Sequence, residues 1–85
     1  MRKINFYDDK NIIGKRLRKE RKRRRLTQED LAAKMQIMNV NIDQQAISRI
    51  ERNLRMVTDY ELRCFCEILE IDPNEMLKDY FIDDL

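Results

Sequence analysis

The chain has one glycine, one proline, no tryptophan and no histidine among its 85 residues. So little glycine and proline leaves few of the tight turns that hairpin-rich folds need. No alternation of apolar and polar residues marks a strand either, so an all-α fold is expected. Without histidine a zinc site would rest on Cys64 and Cys66. Two residues apart on a helix, these thiols point to nearly opposite sides and neither bridge nor share a metal. Free thiols in a reducing cytosol are the expectation. No nucleophile–base pair can be read from the sequence, so neither an enzyme nor a cofactor is expected. No apolar run approaches the roughly 18 residues of a membrane helix, and no apolar leader follows the basic N-terminus. The expectation is a single small domain in the cytoplasm, with no membrane partner.

Charge is abundant but segregated. Residues 1–55 hold 16 Lys/Arg and 7 Asp/Glu, a net +9, whereas residues 56–85 hold 2 and 9, a net −7. The run Lys15 to Arg25, KRLRKERKRRR, holds nine of the cations. A basic front and an acidic back suit a protein that lays one end on a polyanion. A segregated but merely solvated surface, or an arginine-rich RNA-binding helix, would have the same composition. If about 6 phosphates are neutralised per binding unit, affinity should fall with a log–log salt slope near −5.

Helix starts are marked by repeated capping signals. Thr27 with Asp30, Thr58 with Glu61, and Asp72 with Glu75 read as capping boxes; Asp43 reads as a cap without a box acid. A cap oxygen satisfies an orphan amide, and losing one costs about 1 kcal/mol. Pro73 suits the first position of its helix. Helices are therefore expected at Asn11–Arg24, Gln28–Gln36, Gln44–Asn53, Asp59–Leu69 and Pro73–Tyr80. Residues 1–10 read as an N-terminal arm, 11–80 as the helical domain and 81–85 as a tail. Ile4, Phe6 and Tyr7 are candidates to dock the arm. Tyr80, Phe81, Ile82 and Leu85 are candidates for a dimer element or for docking onto the chain's own core.

Helical spacing assigns a core: Ile13, Leu17, Leu31, Ala32, Met35, Ile47, Ile50, Leu62, Phe65, Cys66, Leu69, Met76 and Leu77. On the fourth helix a second line, Tyr60, Cys64 and Ile68, also leans apolar and suggests cover on two sides. Opposite Ile47 and Ile50, the third helix carries Gln44, Gln45, Ser48, Arg49 and Arg52 on one face. Gln bonds adenine N6 and N7 together and Arg forks onto guanine O6 and N7, so this face is suited to reading base edges in a major groove.

Ile13-Gly14-Lys15-Arg16-Leu17-Arg18, Leu26-Thr27-Gln28-Glu29-Asp30-Leu31-Ala32, Ala46-Ile47-Ser48-Arg49-Ile50-Glu51-Arg52 and the closing Leu69 to Leu77 resemble the Xre/Cro-type phage-repressor helix-turn-helix family. The resemblance covers Ile13 to Leu77 and implies a five-helix, lambda-repressor-like DNA-binding domain. It places Gln44, Gln45, Ser48 and Arg49 on bases. It implies phosphate contacts at Lys15, Arg18, Thr27, Gln28, Arg52, Asn53 and Arg55, with Gln28 also bracing the reading helix. It further implies that Arg21 pairs with Glu51 inside the fold. The family often has glycine where this chain has Arg25, Gln36, Asn53 and Glu70. The connection from Ile37 to Asp43 is longer than the compact family turn. Glu20, where an apolar residue is common, would be explained by a pair with Arg16 or Arg24.

The function expected is a DNA-binding transcriptional regulator, a repressor that occupies a palindromic operator as a homodimer on double-stranded DNA. The alternative is a protein-interaction module, such as an antitoxin or adaptor built on the same fold.

Overall fold

The structure is a computed structural model describing residues 2–3, 9–78 and 82–83. Among the described residues five helices carry the fold: α1 (Gly14–Arg23), α2 (Gln28–Ile37), α3 (Gln44–Glu51), α4 (Asp59–Leu69) and α5 (Pro73–Leu77). Two short strands, β1 (Arg2–Lys3) and β2 (Ile82–Asp83), pair antiparallel, with Arg2 opposite Asp83 and Lys3 opposite Ile82. Two residues per strand leave no alternation to read in the sequence. The ladder joins segments that the sequence divides into separate arm and tail. Ile4, Phe6, Tyr7, Tyr80, Phe81 and Leu85 lie outside the described residues.

Helix starts follow the capping signals. Thr27 Oγ1 accepts the Asp30 amide while the Asp30 carboxylate accepts the Thr27 amide. Thr58 and Glu61 repeat this reciprocal box, and Asp43 caps the Ala46 amide. Asp72 caps Asn74, but Glu75 does not complete the expected box. Its carboxylate instead lies 2.7 Å from Lys78 Nζ and 3.6 Å from an Arg16 nitrogen. Ahead of α1, Asn11 Oδ1 accepts the amides of Ile13 and Gly14.

The first four helices all end without glycine. Arg25, Asn39, Asn53 and Glu70 have φ of 56°, 63°, 62° and 53°. At each, the next residue's amide reaches back to close a Schellman turn: Leu26 to Arg21 O, Val40 to Met35 O, Leu54 to Arg49 O and Ile71 to Cys66 O. Gln36 is helical, contrary to the glycine position expected there. α2 runs on to Ile37, so the left-handed residue is Asn39. The single glycine is used elsewhere. A Cβ on Gly14 would collide with the Ile50 carbonyl oxygen, so α1 and α3 cross at backbone contact.

The core lies between α1 to α4 and is closed by Met76. Leu17, Leu31, Met35, Ile47, Ile50, Phe65 and Leu69 are fully buried. Leu62 and Leu77, expected in the core, are only half-buried at its edge. Val40 and Ile42, which helical spacing does not reveal, are buried and belong to it. They pin the long α2–α3 connection to the core. Of the second apolar line on α4, Tyr60 is exposed while Cys64 and Ile68 are half-buried.

Candidate nucleic-acid interface

α3 separates its faces cleanly. Ile47 and Ile50 are sealed inside, while Gln45, Arg49 and Arg52 are exposed and Ser48 is half-exposed. Those outward residues recur at helical spacing on the side away from the core. Arg52 Nε donates to Ser48 O at 3.4 Å, so one edge of its guanidinium rests on the helix while the side chain stays exposed.

A chain of polar bonds fixes the pose of α3. Arg21 grips Glu51 with two nitrogens, at 2.7 and 3.0 Å, and donates a third bond to Leu26 O at 2.7 Å. Gln28 Nε2 donates to Glu51 Oε1 at 3.1 Å, and Gln44 Nε2 donates to Gln28 Oε1 at 2.7 Å. The Arg21–Glu51 ion pair and the Gln28 brace are thus both present. Gln44, expected on a base edge, has its amide donor directed at Gln28. This leaves Gln45, Ser48 and Arg49 as the outward group of that set.

The basic run is divided by burial. Glu20 is 1% exposed and collects Arg16, Arg23 and Arg24 at 3.1, 3.2 and 2.8 Å. Burial alone would raise the Glu20 carboxyl. The hydrogen bond from Arg24 and the nearby charges of Arg23 and Arg16 more than offset this and hold it below the ordinary glutamate range. Those three arginines and Arg21 serve the fold. Lys15, Arg18, Lys19, Lys22 and Arg25 are exposed with no carboxylate partner among the described residues. Arg18 lies one helical turn after Gly14, which meets the α3 backbone, whereas Arg25 lies beyond α1 in the left-handed turn. Lys22 and Arg25 were not singled out as phosphate contacts from sequence, although spacing alone puts Lys22 seven residues after Lys15, on the same side of the helix.

Two expected phosphate contacts are committed within the fold. Asn53 Oδ1 accepts the amides of Lys10 and Asn11, and its Nδ2 donates to Asp9 at 2.5 Å. Asn11 reciprocates by donating to Ile50 O and Arg55 O. Arg55 forks onto Glu61 at 2.9 and 3.0 Å. Burial would raise the Glu61 carboxyl, but the Arg55 fork and the Thr58 amide bring it below its ordinary range. This pair is not legible from spacing, because residues 55 and 61 meet only across the α3–α4 turn. Thr27 is exposed and caps α2 beside Gln28. An open groove of about 740 Å³ lies between the start of α1 and the end of α3, with Lys15, Lys19 and Arg52 on its walls.

Among the described residues no group of three or more His, Cys, Asp and Glu side chains is placed to hold a metal ion, and no helix is long and apolar enough to cross a membrane. No curated protein and no solved structure matches the chain. A helix-turn-helix family model matches residues 17–76, a span that runs from α1 into α5 and contains α2, α3 and the brace between them. The chain belongs to the helix-turn-helix family of Xre/Cro/lambda-repressor type, a family of DNA-binding regulators.

Proposed function

We propose that this regulator is a repressor that occupies a palindromic operator as a homodimer in the cytoplasm, with α3 in the major groove. The observation that carries the reading is the outward set Gln45, Arg49 and Arg52 on a helix locked from behind, together with the exposed cations Arg18, Lys22 and Arg25, which have no carboxylate partner among the described residues. Amide and guanidinium groups supply base discrimination, and the flanking cations supply affinity through phosphate contact. Repression then follows from occluding polymerase. In a dimer the two α3 helices would sit about one helical turn of DNA apart.

Selecting bound duplexes from a random pool tests this directly. The expected product is a palindrome whose half-sites are about 10 base pairs apart, centre to centre. Recovery of no sequence preference at physiological salt would overturn it. A second reading, a protein-interaction module such as an antitoxin or adaptor, draws support from Leu54, Met56 and Tyr60, which are 59%, 71% and 60% exposed around the start of α4.

A further inference from the structure

The connection between α2 and α3 contains two exposed asparagines, Asn39 and Asn41. The fold accounts for Asn39. Its φ of 63° closes the Schellman turn that ends α2, and asparagine tolerates that conformation better than most residues. Nothing in the fold accounts for Asn41. It does not adopt positive φ, and its amide has no partner among the described residues.

Asn41 is nevertheless held firmly. Its neighbours Val40 and Ile42 are 7% and 2% exposed, both in the core. The Ile42 amide donates to Val40 O at 2.9 Å, which makes Asn41 the tip of a three-residue γ-turn. Gln36 Nε2 donates to Ile42 O at 3.1 Å and ties the far side of the turn to α2. With a core anchor on each side, the Asn41 side chain leaves the fold opposite those anchors. Gln45 and Arg49 are likewise exposed on α3, which begins three residues after Asn41.

Reach is favourable. Asn41 precedes the Asp43 cap by two residues, at most about 7 Å of extended chain, or roughly two base-pair steps of 3.4 Å. The N-terminal end of a recognition helix is the end that meets base edges. An asparagine amide offers the donor and acceptor pair that matches adenine N6 and N7.

We propose that Asn41 is a specificity-determining residue, extending the reading surface of α3 past its N-terminus and selecting adenine at one base pair beyond those read by Gln45 and Arg49. This rests on the major-groove reading above and deepens it.

The test is duplex selection with wild type, Asn41→Ala and Asn41→Asp in parallel, with thermal melting as the check on folding. Wild type should show an adenine preference of about tenfold at one position per half-site, outside the core sequence. Asn41→Ala should lose that preference alone, with the core sequence and the melting temperature retained. Asn41→Asp should turn the same position towards cytosine, whose N4 amine donates to a carboxylate. If Asn41→Ala gives the wild-type profile, or weakens all sequences uniformly, the inference is overturned while the proposed function stands. If wild type selects no sequence, the proposed function fails first and takes the inference with it.

Discussion

Gln44 Nε2 donates to Gln28 Oε1 at 2.7 Å, joining the first residue of α3 to the first residue of α2. Because Gln28 also donates to Glu51, and Glu51 is held by Arg21, both ends of α3 are tied to one polar network. Gln28→Ala removes the middle link, and with it the acceptor of Gln44 and a donor to Glu51. DNA affinity should fall about tenfold, with a stability loss of about 1 kcal/mol because Gln28 is only half-buried. Gel-shift titration and thermal melting measure the two quantities. An unchanged affinity would show that α3 holds its pose without the brace.

The Arg21–Glu51 pair has side chains only 9% and 3% exposed, so removing either partner leaves the other's hydrogen-bonding groups buried and under-satisfied. Glu51→Ala would leave the Arg21 guanidinium buried with only Leu26 O as acceptor. A loss of about 3–5 kcal/mol is expected, a large share of the stability of a domain this small. Arg21→Met combined with Glu51→Leu should recover most of that loss, since a buried pair is often replaceable by apolar side chains of similar size. Urea unfolding of the two variants separates the cases, and equal midpoints would sink the account.

Where physical rules are local, the sequence was informative. Four helix starts were legible because a cap side chain and its amide are three residues apart or fewer. The inward and outward faces of α3 were legible because burial follows the 3.6-residue period. Helix ends were harder: with no glycine to mark them, α2 is expected to end at Gln36, where the family often has glycine, but it runs to Ile37 and its left-handed residue is Asn39. Val40 and Ile42 escaped because a periodic pattern says nothing about a connection folded back into the core. The commitments of Arg55 to Glu61 and of Asn53 to Asp9 and Asn11 arise from tertiary approach, which one-dimensional spacing does not encode.

Acid should destabilise the fold through particular carboxylates. Glu20, Glu61 and Asp30 are all held below their ordinary ranges. For the two glutamates burial opposes this, and their arginine partners prevail; for Asp30 the Thr27 amide is the main cause. A carboxylate whose folded value is depressed favours the folded state above its unfolded value, near 4.5 for glutamate. That contribution is lost as pH falls through the folded value. Melting temperature should therefore hold steady from about pH 7 to 5 and decline below about pH 4.5. Glu20→Gln should be less stable at neutral pH and less acid-sensitive than wild type. A profile equally steep in that variant would remove Glu20 from the explanation.

The placement of glycine makes opposite predictions at two sites. Glu70 ends α4 at φ 53° and is exposed, so its side chain strains the turn without filling any space in the core. Glu70→Gly should relieve about 1 kcal/mol of left-handed strain and raise the melting temperature by about 4–8 °C. Gly14 is buried, and a Cβ there would meet the carbonyl oxygens of Ile50 and Glu51, which belong to the α3 backbone and cannot rotate aside. Gly14→Ala should therefore push α1 from α3 and cost about 1–3 kcal/mol, despite alanine's better helix propensity. Because α3 is seated on that contact, the same change should also weaken DNA binding, whereas Glu70→Gly, far along the chain from α3, should not. Thermal melts and duplex titrations of both variants test this together. If Gly14→Ala melted at or above the wild-type temperature, the close α1–α3 crossing could not be what holds the reading helix in place.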